Sequence, residues 1–268
     1  MLKDITLGQY FPGNSPIHRL DPRTKLVLLI AYIVALFVAS AWISYGVMFV
    51  ILVATILIST IPFKSILRGL KPLVVILIFT GVLNIFFTTG EKLLVQFWKI
   101  TIYWEGLERA GMMMARIMML ISGTFLLTYT TSPIALTDGL EALLGPLKKI
   151  KVPVHELAMM MCIALRFIPT LIEETDKIMS AQKARGADFE SGGLLSRVKA
   201  LVPILVPLFI SAFRRADELA TAMECRCYQG GEGRTKMKIL RYKRGDLKAY
   251  GVGVLMVTGI FVLKHYGM

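Results

Sequence analysis

Acidic residues are scarce in this sequence. Asp and Glu number 18 against 31 Lys and Arg in 268 residues, and charged residues together make up 18%, below the roughly 25% usual in soluble domains. Cysteine is scarcer still: Cys162 stands in an apolar stretch, while Cys225 and Cys227 flank Arg226. Three cysteines so placed form neither a disulfide framework nor a zinc-binding pattern. His18, His155 and His265 are far apart, so no local Ser, His and Asp set arises, and no catalytic or metal-ligating residue is assigned. A Gly-x-x-x-x-Gly-Lys-Ser/Thr loop is also missing. The chain therefore has no phosphate cradle and is expected neither to hydrolyse ATP nor to bind a cofactor itself. Residues 1–21 hold prolines, glycines and charges where a cleavable leader has a basic start and an apolar core, so the first span is expected to serve as its own insertion signal. The net charge of +13 does not imply nucleic acid, because the basic residues flank apolar runs and lack base-stacking aromatics.

What the chain has in abundance is hydrocarbon. Hydrophobic residues make up 55% and the mean hydropathy is +0.64, and helices of about 20 apolar residues cross the roughly 30 Å of a bilayer core. Residues 26–61 are too long an apolar run for one span, and a turn at 40–45 makes them a helical hairpin. Lys3, Arg19, Arg23 and Lys25 precede this hairpin, Lys64, Arg68 and Lys71 follow it, and its turn is uncharged. The positive-inside rule places both flanks in the cytoplasm. Residues 72–89 are a third span. The stretch 90–109 mixes Glu91, Lys92, Lys99, Glu105, Glu108 and Arg109 with Phe97, Trp98, Tyr103 and Trp104, as suits a loop at the outer interface. A fourth span, 110–129, carries Met112, Met113, Met114, Met118, Met119 and, about one turn inside, Arg116, which is expected to snorkel or face protein. Residues 247–262 supply the last span.

Between the fourth and last spans the character changes. Residues 133–150 resemble a short amphipathic helix, with Leu136, Leu140, Leu143, Leu144 and Leu147 on one side, suited to the membrane interface. Two longer helices follow, 153–185 and 194–226, separated by the turn-prone stretch 186–193. Each has a long apolar stripe, but Glu173, Glu174 and Asp176 on one and Arg214, Arg215, Asp217 and Glu218 on the other oppose an ordinary transmembrane path. These helices are expected along the membrane surface, bent by Pro169, Pro203 and Pro207. A basic stretch, 234–244, leads into the last span. The fold class is thus all-α: a polytopic membrane protein with about five transmembrane helices, an amphipathic helix and two long cytoplasmic helices. Its expected divisions are 1–131, 132–244 and 245–268.

The ends of the two long helices repeat one another. Asp176-Lys-Ile-Met-Ser-Ala-Gln-Lys-Ala-Arg185-Gly overlays Asp217-Glu-Leu-Ala-Thr-Ala-Met-Glu-Cys-Arg226-Cys, pairing Ile178 with Leu219, Ser180 with Thr221 and Ala181 with Ala222. Small neighbours let an arginine at a helix end enter a narrow groove, where its planar guanidinium engages carboxylates or carbonyls. Two such ends fit two similar grooves, as a paired ATPase would provide. The other reading of the same residues is that each arginine complements a helix dipole and reaches lipid phosphates. The clusters Met112 to Met114 and Met159 to Met161 likewise read either as packing or as an adaptable partner surface.

Together these residues resemble the transmembrane T component of energy-coupling factor transporters, over essentially the whole chain. The likeness rests on Gly8-Gln-Tyr-Phe-Pro-Gly-Asn-Ser-Pro-Ile-His-Arg-Leu-Asp-Pro-Arg-Thr-Lys25 and on paired small-Arg-small motifs at Ala184-Arg185-Gly186 and Cys225-Arg226-Cys227. The resemblance implies a multi-pass protein of a bacterial or archaeal cytoplasmic membrane that binds no cofactor and catalyses nothing itself. It implies that Arg185 and Arg226 dock on two related ATPase subunits, which hold ATP and Mg. It further implies that the apolar faces of the long helices, with Met159, Met160, Met161, Leu171, Leu205, Leu208 and Phe209, hold a separate substrate-binding membrane subunit for vitamin or transition-metal uptake. The second motif departs from the first in having cysteines beside its arginine. The competing function class is a self-sufficient, gradient-driven permease or channel, with Arg116 as a pathway residue.

Overall fold

A computed structural model describes residues 10–90, 93–97, 100–187, 189, 193–231, 233 and 239–266. Outside them lie Lys3, Gly8, Gln9, Glu91, Lys92, Trp98, Lys99 and residues 234–238 of the basic stretch, as do 188 and 190–192 of the turn between the long helices. The described chain forms helices α1 (Pro22–Val38), α2 (Trp42–Ser59), α3 (Phe63–Leu70), α4 (Val74–Phe87), α5 (Trp104–Thr130), α6 (Pro133–Leu144), α7 (Val154–Ala184), α8 (Leu194–Glu224) and α9 (Arg244–His265). Short 3-10 turns at Lys71–Leu73 and Gly145–Ile150 extend α3 and α6.

Among the described residues, the regular structure is helical apart from one small ribbon that the sequence reading missed. Leu93–Phe97 (β1) pairs antiparallel with Ile100–Tyr103 (β2), Phe97 opposite Ile100, with a register irregularity between Leu93 and Val95. The stretch 90–109, expected as a loop, therefore contains a hairpin. The run Ile100, Thr101, Ile102, Tyr103 is β-branched and aromatic and is the signal for it. The third span also starts earlier than expected. Helix begins at Phe63 and runs to Phe87 because Pro72 falls in the 3-10 turn, near a helix start where its missing N–H costs little.

By contact, the described chain divides into two compact units, one within 144–239 and the other built from 10–143 with 240–266. The second contains α1 to α5 and α9. Its core gathers Leu36, Met48, Ile66, Met119, Tyr129 and Ile260 from five helices. Small residues let those helices approach: a Cβ on Gly253 would collide with Leu28 Cδ2, and one on Gly123 would come within 2.9 Å of the Tyr32 ring. The outer faces are apolar. Helix α4 buries Leu77 and Gly81, while Val75 and Phe87 are 74% and 80% exposed. In water such a face would attract a partner; in a bilayer, lipid tails cover it without penalty.

Five helical segments are long and apolar enough to cross a membrane: α2, the run Phe63–Phe87, α5, α7 and α9. The set differs from the sequence reading at two places. Helix α1 has 17 residues, about 25 Å at 1.5 Å per residue, the lower edge of spanning length. Helix α7 qualifies because Glu173, Glu174, Asp176, Lys177 and Lys183 gather in its second half and leave only Glu156 and Arg166 charged in an otherwise apolar first half.

Polar groups among these helices join their ends. Asp21 caps α1, accepting the Arg23 backbone N–H at 2.9 Å and the Arg23 guanidinium at 3.0 Å. Burial works to raise the Asp21 pKa, but the Arg23 hydrogen bonds and charge outweigh it and hold the carboxyl below its ordinary value. Asp246, 1% exposed, accepts the Asp21 N–H at 2.8 Å and the Lys243 N–H at 2.7 Å. One carboxylate thus ties the starts of α1 and α9 together. The turn between α1 and α2 is held from α5: Arg116 donates to Ala39 O at 3.1 Å, and its guanidinium carbon lies 5.6 Å from the centroids of both the Phe37 and Tyr45 rings. It faces protein, and the carbonyl it meets is the C-cap of α1.

Candidate functional site: two arginine-tipped helices

The ends of α7 and α8 share one backbone device. After α7, Gly186 N donates to Lys183 O at 3.0 Å and Ala187 N to Gln182 O at 3.0 Å, and Gly186 has φ +87. After α8, Cys227 N donates to Glu224 O at 2.8 Å and Tyr228 N to Met223 O at 3.1 Å, and Cys227 has φ 56. Both are Schellman caps, in which a residue in the left-handed region reverses the chain and satisfies the last carbonyls. Arg185 and Arg226 precede the reversing residue in each. The sequence repeat is therefore a repeat of geometry. It extends inward, since Ser180 Oγ donates to Asp176 O at 2.7 Å and Thr221 Oγ1 to Asp217 O at 2.9 Å, the matched hydroxyls meeting matched carbonyls.

Glycine at 186 takes the left-handed conformation freely, but cysteine at 227 pays about 1–2 kcal/mol for it. Ala184, Arg185, Gly186, Cys225, Arg226 and Cys227 are all exposed. Among the described residues, no hydrogen bond or ion pair engages either guanidinium, and both tips present several directed donors.

The two helices pack antiparallel. Arg215 Nη2 on α8 lies 2.9 Å from Glu174 Oε2 on α7, and further along α7 the Gln182 Nε2 donates to Pro203 O at 3.5 Å, earlier on α8. The latter carbonyl is free because Pro207, four residues on, has no N–H to give it. Both helices run unbroken through Pro169, Pro203 and Pro207. Glu174 and Arg215 are 41 residues apart, the same offset that separates Arg185 from Arg226 and each other matched position. The ion pair therefore joins equivalent positions of the repeat on the two helices. Each arginine stands about 16 Å along its helix from that pair, at 1.5 Å per residue, in opposite directions. The pair is itself partly exposed, at 35% and 24% for the two side chains, so it stabilises little; its value is as a marker of register.

The apolar stripes behind the tips lie open. Met160, Met161, Leu205 and Phe209 are 54%, 45%, 46% and 61% exposed, whereas Met159, Leu171 and Leu208 are half-buried. Ile204 is the buried side chain among those described on α8. The sequence reading named part of this face; Val206, Ile210 and Phe213, each more than half exposed, continue it and were missed although they share its apolar pattern.

Residues 13–237 match the family model described as Cobalt transport protein, CbiQ. Relatives named "Energy-coupling factor transporter transmembrane protein EcfT" match nearly end to end. That of Ruminiclostridium cellulolyticum is 52% identical over 266 residues, 99% of each chain. That of Thermosediminibacter oceani is 56% identical over 260 residues, 97% of this chain and 98% of its own. The Bacillus subtilis protein is 47% identical over 264 residues, 98% of this chain and all of its own. Similarity of this extent shows that the chain belongs to the family of energy-coupling factor transporter transmembrane proteins, multi-pass components of the membrane.

Proposed function

We propose that this chain is the coupling subunit of an ATP-driven importer, with Arg185 and Arg226 each seated on one of two related ATPase subunits. The observation that carries the reading is the equivalence of the two caps, set at matched positions on either side of the Glu174–Arg215 pair. An ATPase pair related by a two-fold presents two similar grooves, and a surface with two like tips engages both at once. A planar guanidinium with exposed donors suits carboxylates or carbonyls in such a groove. The macrodipole reading explains an arginine at one helix end, but not the same cap on two matched helices.

In this reading ATP and Mg bind the ATPases, and this chain is not an enzyme. The exposed stripe of Met159, Met160, Met161, Leu171, Leu205, Leu208 and Phe209 holds a separate substrate-binding membrane subunit. Movement of the ATPases shifts α7 and α8 through their tips, and the stripe transmits that shift to the substrate subunit, which releases its cargo. The cargo class is a vitamin or a transition metal; the description of the matching family names cobalt. Arg116, the pathway residue of a self-sufficient permease, is engaged with Ala39 O and two rings, which favours an anchoring role for it.

The test is the double substitution Arg185→Glu with Arg226→Glu. Both side chains are exposed, so membrane insertion and yield are expected to stay unchanged while co-purification of the ATPases and uptake are lost. Retained co-purification and uptake would overturn the proposal, as would cargo transport by the purified chain alone in liposomes.

A further inference from the structure

A cavity of about 290 Å³ lies among α1, α2, α5 and α9, its wall mostly hydrocarbon from Leu28, Ile51, Leu126, Val252 and Met256. The few polar groups on that wall are occupied. Thr55 Oγ1 donates to Ile51 O at 2.6 Å and Thr130 Oγ1 to Leu126 O at 2.8 Å. Lys25 Nζ donates to Thr130 O at 2.9 Å and Thr131 Oγ1 at 3.2 Å. The slot thus has little to offer water and suits an apolar chain. Leu20 lines this cavity and also a second one of about 380 Å³, lined with it by Asn14, Pro16, Arg19, Lys243, Gly245 and Asp246.

This second space carries two cations, Arg19 and Lys243, against one carboxylate, Asp246. Both oxygens of Asp246 are taken by backbone N–H groups, and Asp21 is paired with Arg23. Arg19 and Lys243 are exposed at the rim. An apolar slot thus adjoins a basic basin, at the end of the bundle that the positive-inside rule assigns to the cytoplasm. Basic pockets between membrane helices on that side recognise anionic headgroups.

We propose that this composite site binds one anionic glycerophospholipid, an acyl chain in the slot and its phosphate against Arg19 and Lys243. The lipid fills space between α1 and α9 near the Asp21 and Asp246 junction. Free phosphate leaves the slot empty, and a neutral lipid leaves the basin uncompensated, so both parts of an anionic lipid are required. Each cation near an anionic headgroup contributes roughly a five-fold preference.

Native mass spectrometry of the full chain, released from nanodiscs holding equal phosphatidylglycerol and phosphatidylcholine, tests this. The wild type is expected to retain one phosphatidylglycerol in preference to phosphatidylcholine. Arg19→Gln with Lys243→Gln, both at exposed positions, is expected to cut that preference about twenty-fold, and Arg19→Lys to keep most of it. Thr55→Phe fills the slot and is expected to lose either lipid with the helical circular dichroism unchanged. Equal retention of the two lipids by the wild type would overturn the proposal. So would an unchanged preference in the double variant, whatever the behaviour of Thr55→Phe.

Discussion

Replacing Gly186 with alanine tests whether the cap, beyond the arginine it carries, positions the tip. At φ +87 the added methyl meets nothing within 4 Å, so the change has no packing cost. What remains is the left-handed backbone, worth about 1–2 kcal/mol against an L-residue, less about 0.4–1 kcal/mol recovered because alanine restricts the unfolded chain. Fraying of the cap adds little unfolded-state gain, so about 1 kcal/mol works against the two bonds from Gly186 N and Ala187 N. If that cap must be closed for Arg185 to enter its groove, affinity for the ATPase pair falls about five-fold, as 1 kcal/mol dictates. Asparagine tolerates the left-handed region, so Gly186→Asn should bind nearly as the wild type does. Cys227→Gly removes the same strain at the other tip, where φ is 56, and should tighten binding by up to a similar factor. The assay is titration of the full chain in nanodiscs with the purified ATPase dimer. Wild-type affinity in Gly186→Ala, or equal weakening by alanine and asparagine, would refute the reasoning.

Two further outcomes follow from the polar junction of α1 and α9. Asp246→Asn replaces one of two carboxylate oxygens with an amide that cannot accept the second N–H, and loss of a charge-assisted bond at a buried site costs about 1.5–3 kcal/mol. A fall in the melting temperature of the detergent-solubilised chain is the readout, and an unchanged melting temperature would contradict the tie. Asp21 has a lowered pKa when folded, so its stabilising contribution is present above the unfolded value near 3.8 and disappears as pH falls through the lower folded value. The melting difference between wild type and Asp21→Asn should therefore be full at pH 7 and shrink below about pH 4; a difference constant across that range would exclude the titration of Asp21 as its cause.

Hydrophobic run length and flanking charge made the membrane class and most helix positions legible, because burial in hydrocarbon requires about 20 apolar residues whatever the tertiary arrangement. The hairpin turn was expected within 40–45 and falls at Ala39–Ala41, where the chain has no charge and α1 ends. The paired helix ends were also legible, since the cap depends on local backbone and a few neighbours, so matching residues at matching spacing yield matching geometry. The ribbon at Leu93–Phe97 and Ile100–Tyr103 was missed because aromatic residues with mixed charges fit an interfacial loop equally well. The backward extension of the third helix was missed because Pro72 looks like a start when only its own bond is considered.

By itself, then, the sequence determined a helical membrane protein, the approximate places of its spans and a doubled arginine-bearing helix end, all properties of local composition and periodicity. Only the tertiary structure decided that Arg116 braces Ala39, that Asp246 joins the starts of α1 and α9 across 225 residues, and that Glu174 meets Arg215 at equivalent positions on antiparallel helices. These depend on which faces of distant helices come together, and that is set by packing of side chains far apart in the chain, for which no short stretch of sequence carries a signal.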